Sequence, residues 1–415
     1  MNRVNFLSMT ATLLIVAVSA AEATETAEAA GIAAASWYGS AELGASVPFD
    51  EGRNPGLSAE TRLILESKPE SGIGFRAEGG IGWNYGTSSA EALAFDAGIA
   101  PAPAAADLPP GTDLHRTFFL DQAYARASLG PSDLSFGIVP CAWGTGYLFN
   151  PTSRTGPAAF PGDDSDTAPG TLGAVVRLSL PAGFSAEAYS LAQPRLRSVV
   201  PAVDEASIDR FPFGAKLQSR SDLIDASVSF LRELPNADAE AAYWAGADAA
   251  GFFGPVSWYA EAAIRLPGGS GTDTETEACA GFSWIVPYFE ITLRTEIAWI
   301  GSGVEDPAAY DTAALLAGER VLSARRYLFA MLEKEDPEAA EWKLSGGALA
   351  NLDDLSLAFL AEAAFMPALS VELSAYVRVF VADGDGEFGG KRNLGGGMEL
   401  TPYRSAAGIK AKVSF

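Results

Sequence analysis

Apolar and polar residues alternate along most of this 415-residue chain. Between Phe289 and Trp299 all odd positions except Thr295 are apolar, and most even positions carry charged or polar groups such as Arg294. The segments 369–379 and 407–415 follow the same rule. Because successive side chains of a β-strand point to opposite faces, this period of two predicts many strands with one apolar and one polar face.

The first residues have the features of an export signal. Arg3 gives a short basic start, residues 6–21 form a nearly unbroken apolar run, and Ala21-Glu22-Ala23 is a small-x-small cleavage site. We therefore predict a cleaved signal peptide at 1–23, a short periplasmic segment at 24–35 and one domain at 36–415. After residue 23, no apolar stretch reaches the roughly 20 residues that a membrane-spanning helix needs.

Composition and the polar face together point to a membrane barrel. The chain is 48% hydrophobic, and only helices and closed barrels satisfy their backbone in lipid. The polar face carries ionisable groups on most strands, which a dry core cannot bury but a water-filled lumen can accept. Barrels of about 16–18 strands enclose such a lumen. The predicted fold is all-β, a single transmembrane antiparallel β-barrel of about 18 strands, with 16 as the alternative.

Short and long connections alternate between the predicted strands. Short Pro/Gly-rich ones, such as 130–132 and 254–255, are followed by long ones, such as 86–116, 143–170 and 382–403. Tight periplasmic turns and long extracellular loops are typical of outer-membrane barrels. Both chain ends should then face the periplasm, so the strand number should be even.

One segment carries a family resemblance. Tyr124-x-Arg126 lies in a predicted strand, and the next strand is followed by W-G-T-G at 143–146 and F-N-P at 149–151. This resembles porin-like outer-membrane families, which often place an Asp after Asn-Pro, whereas Thr152 and Ser153 follow here. The segment 378–389 resembles the penultimate strand and loop of such barrels.

The last strand resembles the C-terminal signature of bacterial outer-membrane barrels, with Val413 and Phe415 as its assembly signal. These resemblances imply an outer-membrane location in a diderm bacterium and contact with outer-membrane lipid. They also imply recognition of the last strand by the barrel-assembly machinery.

The polar face supplies the candidate pore-lining residues. They are Arg76, Arg126, Arg177, Lys216, Glu261, Arg265, Glu290, Arg294, Glu296, Glu372 and Arg378. A wall of both signs suits the passage of small hydrophilic solutes.

The 143–170 loop is the candidate constriction. It carries Asp163, Asp164 and Asp166, which would face a basic wall of the three arginines at 76, 126 and 177 and create a transverse field. In the alternative, the loop packs outside as a lid and the arginines pair with Glu78 and Glu187.

The sequence offers few residues suited to catalysis, metal binding or nucleic-acid binding. The only histidine, His115, lies in a predicted loop, so we predict no catalysis, no metal site and no cofactor. Cys141 and Cys279 are far apart in the predicted strand order and should stay free. A net charge of −24 argues against nucleic acid as a partner.

The preferred interpretation is a porin-like channel for passive diffusion of small hydrophilic solutes. The alternative is a non-conducting surface barrel whose long acidic loops mediate adhesion or envelope contacts. A stretch of small residues at 241–251 is a candidate contact surface for a homo-oligomer.

Overall fold

The structure is a computed structural model. It describes residues 35–49, 56–67, 72–85, 114–153, 170–191, 212–233, 242–266, 274–310, 322–335, 342–368, 370–389, 392–393, 399–400, 403 and 405–415. The predicted signal peptide and the acidic positions 163, 164 and 166 lie outside these ranges.

Twenty strands and two 3-10 turns make up the regular structure of the described residues. The first ten strands are β1 (Ala35–Pro48), β2 (Gly56–Ser67), β3 (Gly72–Tyr85), β4 (Leu114–Leu129), β5 (Ser132–Val139), β6 (Thr171–Ser179), β7 (Phe184–Leu191), β8 (Phe213–Arg220), β9 (Ile224–Glu233) and β10 (Ala242–Phe253). The others are β11 (Val256–Leu266), β12 (Thr276–Val286), β13 (Ile291–Ile300), β14 (Arg326–Glu335), β15 (Trp342–Asn351), β16 (Leu357–Ala368), β17 (Val371–Val381), β18 (Arg392–Asn393), β19 (Glu399–Leu400) and β20 (Ala406–Ser414). The 3-10 turns span Pro181–Gly183 and Pro307–Ala309.

Eighteen of these strands form one closed antiparallel barrel. Each pairs with its neighbours in chain order, and β20 closes the ring by pairing with both β17 and β1. The strands β18 and β19 pair only with each other, inside the connection between β17 and β20. The predicted fold class is therefore confirmed, with the even count of 18. No helix among the described residues is long and apolar enough to cross a membrane.

The two ends of the barrel differ in their connections. One end carries the short connections, including 130–131, 254–255 and 369–370, and the even strand number brings Ala35 and Phe415 to this same end. The other end carries the long connections, including 86–113, 140–170 and 382–405. His115, expected in a loop, falls within β4.

The two faces of the sheet follow the alternation. Leu373, Phe359 and Ile409 project from the outer face and are exposed, as expected for a surface that meets lipid. The inner face holds the buried large side chains, including Tyr327 and Phe329. The buried apolar groups therefore lie inside the barrel, where chain segments fold back against the wall.

Gly39 lies at the seam where the first strand meets the end of the chain. The N–H of Gly39 donates to the carbonyl of Phe415 at 2.8 Å, and the N–H of Phe415 donates to the carbonyl of Gly39 at 3.0 Å. The Phe415 ring lies 6.1 Å from that of Trp37, centroid to centroid. A Cβ at Gly39 would stand 2.5 Å from the Arg62 carbonyl oxygen and 2.9 Å from the Phe415 ring. The seam thus requires glycine at this position.

We expect Gly39→Ala to destabilise the barrel by about 1–3 kcal/mol, because the methyl group has no space at the seam. Gly346→Ala is the matched control: Gly346 also faces outward, and its added Cβ would meet only the Leu360 carbonyl oxygen, at 3.9 Å. Thermal unfolding in detergent, followed by circular dichroism, compares the two. Equal midpoints for the two variants would contradict the seam argument.

Candidate functional site

The segment 140–153, which follows β5, lies inside the barrel; we call it the inner segment. The Trp143 ring packs on Tyr189 of β7, with centroids 4.8 Å apart. Further along, the Tyr147 ring stacks on Phe329 of β14 at 5.7 Å. A segment that leaves β5 and touches the polar face of β7 and β14 in a closed barrel must run through the lumen, along the wall from β6 to β14.

Glu261 of β11 binds both ends of the inner segment. Its carboxylate accepts the N–H groups of Thr145 at 2.8 Å and Gly146 at 3.3 Å. It also accepts the N–H of Thr152 at 2.5 Å and the Thr152 hydroxyl at 2.8 Å. Thr152 occupies the place where related patterns have an Asp, so here the anchoring carboxylate comes from the wall.

Glu296 of β13 binds the middle of the inner segment. It accepts the N–H groups of Tyr147 at 2.8 Å, Leu148 at 3.2 Å and Phe149 at 2.7 Å. The hydroxyl of Tyr259 donates to the same carboxylate. The three bonds from 147–149 satisfy backbone donors that have no strand partner.

Both anchoring carboxylates are closed off from water. Glu261 is 3% exposed and Glu296 is 1% exposed. A buried carboxylate is tolerated when several donors surround it, and bonds of this charge-assisted kind are the stronger ones. Glu261 and Glu296, predicted as pore-lining residues, therefore lie on the inner face but do not meet the open lumen.

The glycines of W-G-T-G make room for the Glu261 carboxylate. Gly144 has a φ of +102°, and a Cβ there would stand 2.5 Å from the Asn150 side-chain oxygen and 2.7 Å from a Glu261 oxygen. A Cβ at Gly146 would stand 1.8 Å from the Phe149 carbonyl oxygen. Side chains at either position would displace the backbone from its acceptors.

Two apolar clusters hold the flanks of the inner segment. The first joins Cys141 and Trp143 to residues of β6, β7, β9, β10 and β11. The second joins Leu148 and Phe149 to residues of β12–β16 and of the loop after β17. Cys141 and Cys279 are both buried and free, as predicted, and the Cys279 thiol donates to the Phe149 carbonyl at 3.1 Å.

The three arginines of the predicted basic wall are paired with carboxylates. Arg76 bonds Glu78 at 2.7 Å and Glu66 at 3.1 Å. Arg126 bonds Asp133 at 2.7 Å, and Arg177 bonds Glu187 at 2.6 Å. Each guanidinium has a carboxylate on its own or the adjacent strand, and the pairs with Glu78 and Glu187 are those of the alternative interpretation.

Five other candidate residues also lie on the inner face, and three of them, Lys216, Arg265 and Arg294, form ion pairs. Lys216 pairs with Asp248 at 3.3 Å, and Arg265 pairs with Glu275 at 3.2 Å. Glu372 and Arg378 lie on the inner face of β17, where Arg378 stands over the Tyr376 ring at 5.5 Å.

Arg294 combines an ion pair with an aromatic contact. It bonds Glu333 at 2.7 Å and lies 4.8 Å from the Tyr147 ring centroid. Tyr147 is 43% exposed, so the middle of the inner segment presents an aromatic ring to the lumen.

Glu290 was predicted to line the pore, but the structure places it elsewhere. It occupies the turn between β12 and β13 with a φ of 52°, so the alternation does not extend to it and it is not part of the wall.

A β-bulge conceals one further inner-face residue, Asp121. The pairing of β3 with β4 shifts register between Glu78 and Gly79, and Asp121 is the extra residue. Asp121 bonds Arg62 at 2.6 Å, and Arg62 also bonds Glu78 at 2.8 Å. The consecutive polar pair Asp121-Gln122 is the sequence signal that the alternation slips here.

At the long-connection end, Glu387 joins three chain segments. Its carboxylate accepts the Ser323 N–H at 2.5 Å, the Tyr327 hydroxyl at 2.6 Å and the Asn351 amide at 2.9 Å. Its own N–H donates to Asp354 at 2.6 Å. Burial raises the pKa of Glu387 to about 7, although the hydrogen bond from Tyr327 acts in the opposite direction.

Comparison with known proteins assigns no family to this chain. No protein-family model matches the chain, and no curated protein sequence matches it. Matching solved structures include variants of the porin of Rhodopseudomonas blastica. One has 13% identity and a TM-score of 0.44, and covers 92% of this chain and 100% of the porin chain. Another has the same identity and coverage with a TM-score of 0.46. Since these TM-scores are below 0.5, no conclusion about this chain rests on them.

We expect Glu296→Gln to release the inner segment. The substitution replaces one acceptor oxygen with an NH2 group that faces the N–H donors of 147–149, at a cost of about 1–3 kcal/mol. Hydrogen exchange of peptides covering 145–152 should accelerate about tenfold or more. Glu372→Gln, which removes an inner-face carboxylate on β17, is the control and should leave this exchange unchanged. Equal protection in both variants would contradict the anchoring role.

We expect the contact of residues 383–389 with the barrel to weaken as pH rises. Because the pKa of Glu387 is raised above its ordinary value of about 4.5, its contribution is fully present below that value and is lost as pH rises through about 7. Hydrogen exchange of this segment, corrected for intrinsic rates, should show less protection at pH 8.5 than at pH 5.5. Glu387→Gln should remove this difference; the same pH dependence in that variant would disprove the assignment.

Proposed function

We propose that this chain is a porin-like channel of a bacterial outer membrane, through which small hydrophilic solutes diffuse passively. The observation that supports it best is the position of the inner segment. It lies along the wall from β6 to β14 of an 18-stranded barrel, and the inner segment itself does not cover the half of the lumen bounded by β16, β17, β20 and β1–β4. Barrels of this strand number are wide enough to hold water.

The inner segment narrows this channel on one side. Tyr147, at its middle, is the exposed aromatic residue of that side, and the charged inner faces of β2, β3 and β17 stand on the other. We place the constriction within 143–170 and include Asp163, Asp164 and Asp166 in it as part of the proposal.

The proposal also includes the export of the chain and its insertion into the outer membrane. Residues 1–23 act as a cleaved signal peptide, and the last strand, with Val413 and Phe415, is the segment that the barrel-assembly machinery recognises. The apolar outer face then contacts outer-membrane lipid. No catalytic step, metal or cofactor is part of this function.

Single-channel recording in planar bilayers tests the proposal. The refolded protein should give stable open steps. Tyr147→Cys, labelled with a bulky thiol reagent, should lose most of its current, because the label fills the lumen beside the inner segment. Tyr288→Cys is the control, since Tyr288 is 95% exposed in the turn between β12 and β13, outside the lumen. The native cysteines are buried and should not react.

Two results would overturn the proposal. The first is a correctly folded barrel that never conducts. The second is a channel whose current falls equally after labelling at 147 and at 288.

A further inference from the structure

A row of six charged residues on the inner face of β4–β10 alternates in sign; we call it the charge belt. Its members, in order around the barrel, are Arg126, Asp133, Arg177, Glu187, Lys216 and Asp248. Three are positive and three are negative, so the belt carries no net charge.

Every step of the charge belt joins opposite signs. Arg126 bonds Asp133 at 2.7 Å, and Asp133 is the register partner of Arg177. Arg177 bonds Glu187 at 2.6 Å, and Glu187 is the register partner of Lys216.

The belt ends at Asp248, which Lys216 bonds at 3.3 Å across the intervening strand β9. The steps from Arg126 to Lys216 join residues of adjacent strands.

The charge belt is open to the lumen at one end and covered at the other. The side chains of Arg126 and Arg177 are 50% and 44% exposed. Towards the other end, the Trp143 indole of the inner segment donates to Glu187 at 2.8 Å. Solutes that enter the lumen can therefore reach the belt at β4–β6.

The electrostatic potential of a row of alternating charges extends only a short distance from the wall. Neighbouring strands are about 4.8 Å apart, so the sign of the charge changes at about that spacing. At a distance of more than one repeat the contributions cancel, and salt screens the remainder. A solute in contact with the wall, by contrast, meets a cation and an anion side by side.

From this arrangement we infer that the charge belt adds no net preference between small anions and cations and favours small zwitterions that touch the wall. A zwitterion can place each charge next to its opposite on the belt, whereas a singly charged solute always meets a like charge beside its partner. The inference rests on the proposed channel function and names its solute class.

Charge variants in a potassium chloride gradient test the inference. The wild-type permeability ratio of potassium to chloride is the reference, to which a neutral belt adds no preference. Arg177→Gln leaves a carboxylate unbalanced and should shift the ratio towards potassium; Glu187→Gln should shift it towards chloride. The double variant should return to the wild-type ratio. Glu187→Gln keeps an oxygen for the Trp143 indole, so the inner segment retains that bond.

Lys334→Gln is the matched control. Lys334 is exposed on the outer face of β14, so its loss removes the same charge outside the lumen and should not move the ratio. A ratio that the Arg177 and Glu187 variants leave unchanged would overturn the inference while leaving the channel function intact. Absence of any current would instead overturn the channel function, and the inference with it.

Swelling of proteoliposomes tests the solute class. The rate in glycine, divided by the rate in uncharged glycerol, corrects for differences in channel width. This quotient should fall in both single variants and recover in the double variant, because only a balanced belt accommodates both charges of glycine. A quotient that is the same in all four proteins would disprove the preference for zwitterions.

Discussion

Hydrogen bonds from backbone N–H groups to two wall carboxylates determine the interior of this barrel. A chain segment inside a lumen has no neighbouring strand, yet its amides still require acceptors. Glu261 and Glu296 supply them to 145–146, 147–149 and 152, and every one of these bonds is charge-assisted. The position of the inner segment, the half of the lumen that it covers and the exposure of Tyr147 all follow from these two side chains.

The alternation predicted the strands, the closed barrel and the even strand number because it reports directly on the two faces of each strand. It could not distinguish Glu296 from Glu372, since both stand at polar positions in similar strands. Only the arrival of a distant segment makes one of them a buried anchor. Asp121 was missed for a different reason: a bulge adds one residue and reverses the parity on which the prediction depends. The prediction for Glu290 was wrong because this residue lies in a turn, where the alternation ends.

The sequence can predict some ion pairs of the inner face, but not others. Arg177 and Glu187 flank the short turn between β6 and β7, so a hairpin register alone brings them together. Lys216 and Asp248 lie on β8 and β10, and their contact passes over the intervening strand. Contacts of the first kind are local, whereas those of the second require the tilt of the complete barrel. Charges that looked like a basic wall in the sequence are therefore neutralised in the folded protein.

The inner segment also imposes an order of events during folding. The acceptors for Thr145 and Tyr147 lie 116 and 149 residues further along the chain. Until β11–β13 have paired, these amides can bond only to water, and loop closure over such distances is slow. The inner segment can therefore take its final position only after β11–β13 have paired. Before that step, the interior beside these strands is wider and wetter than in the finished barrel.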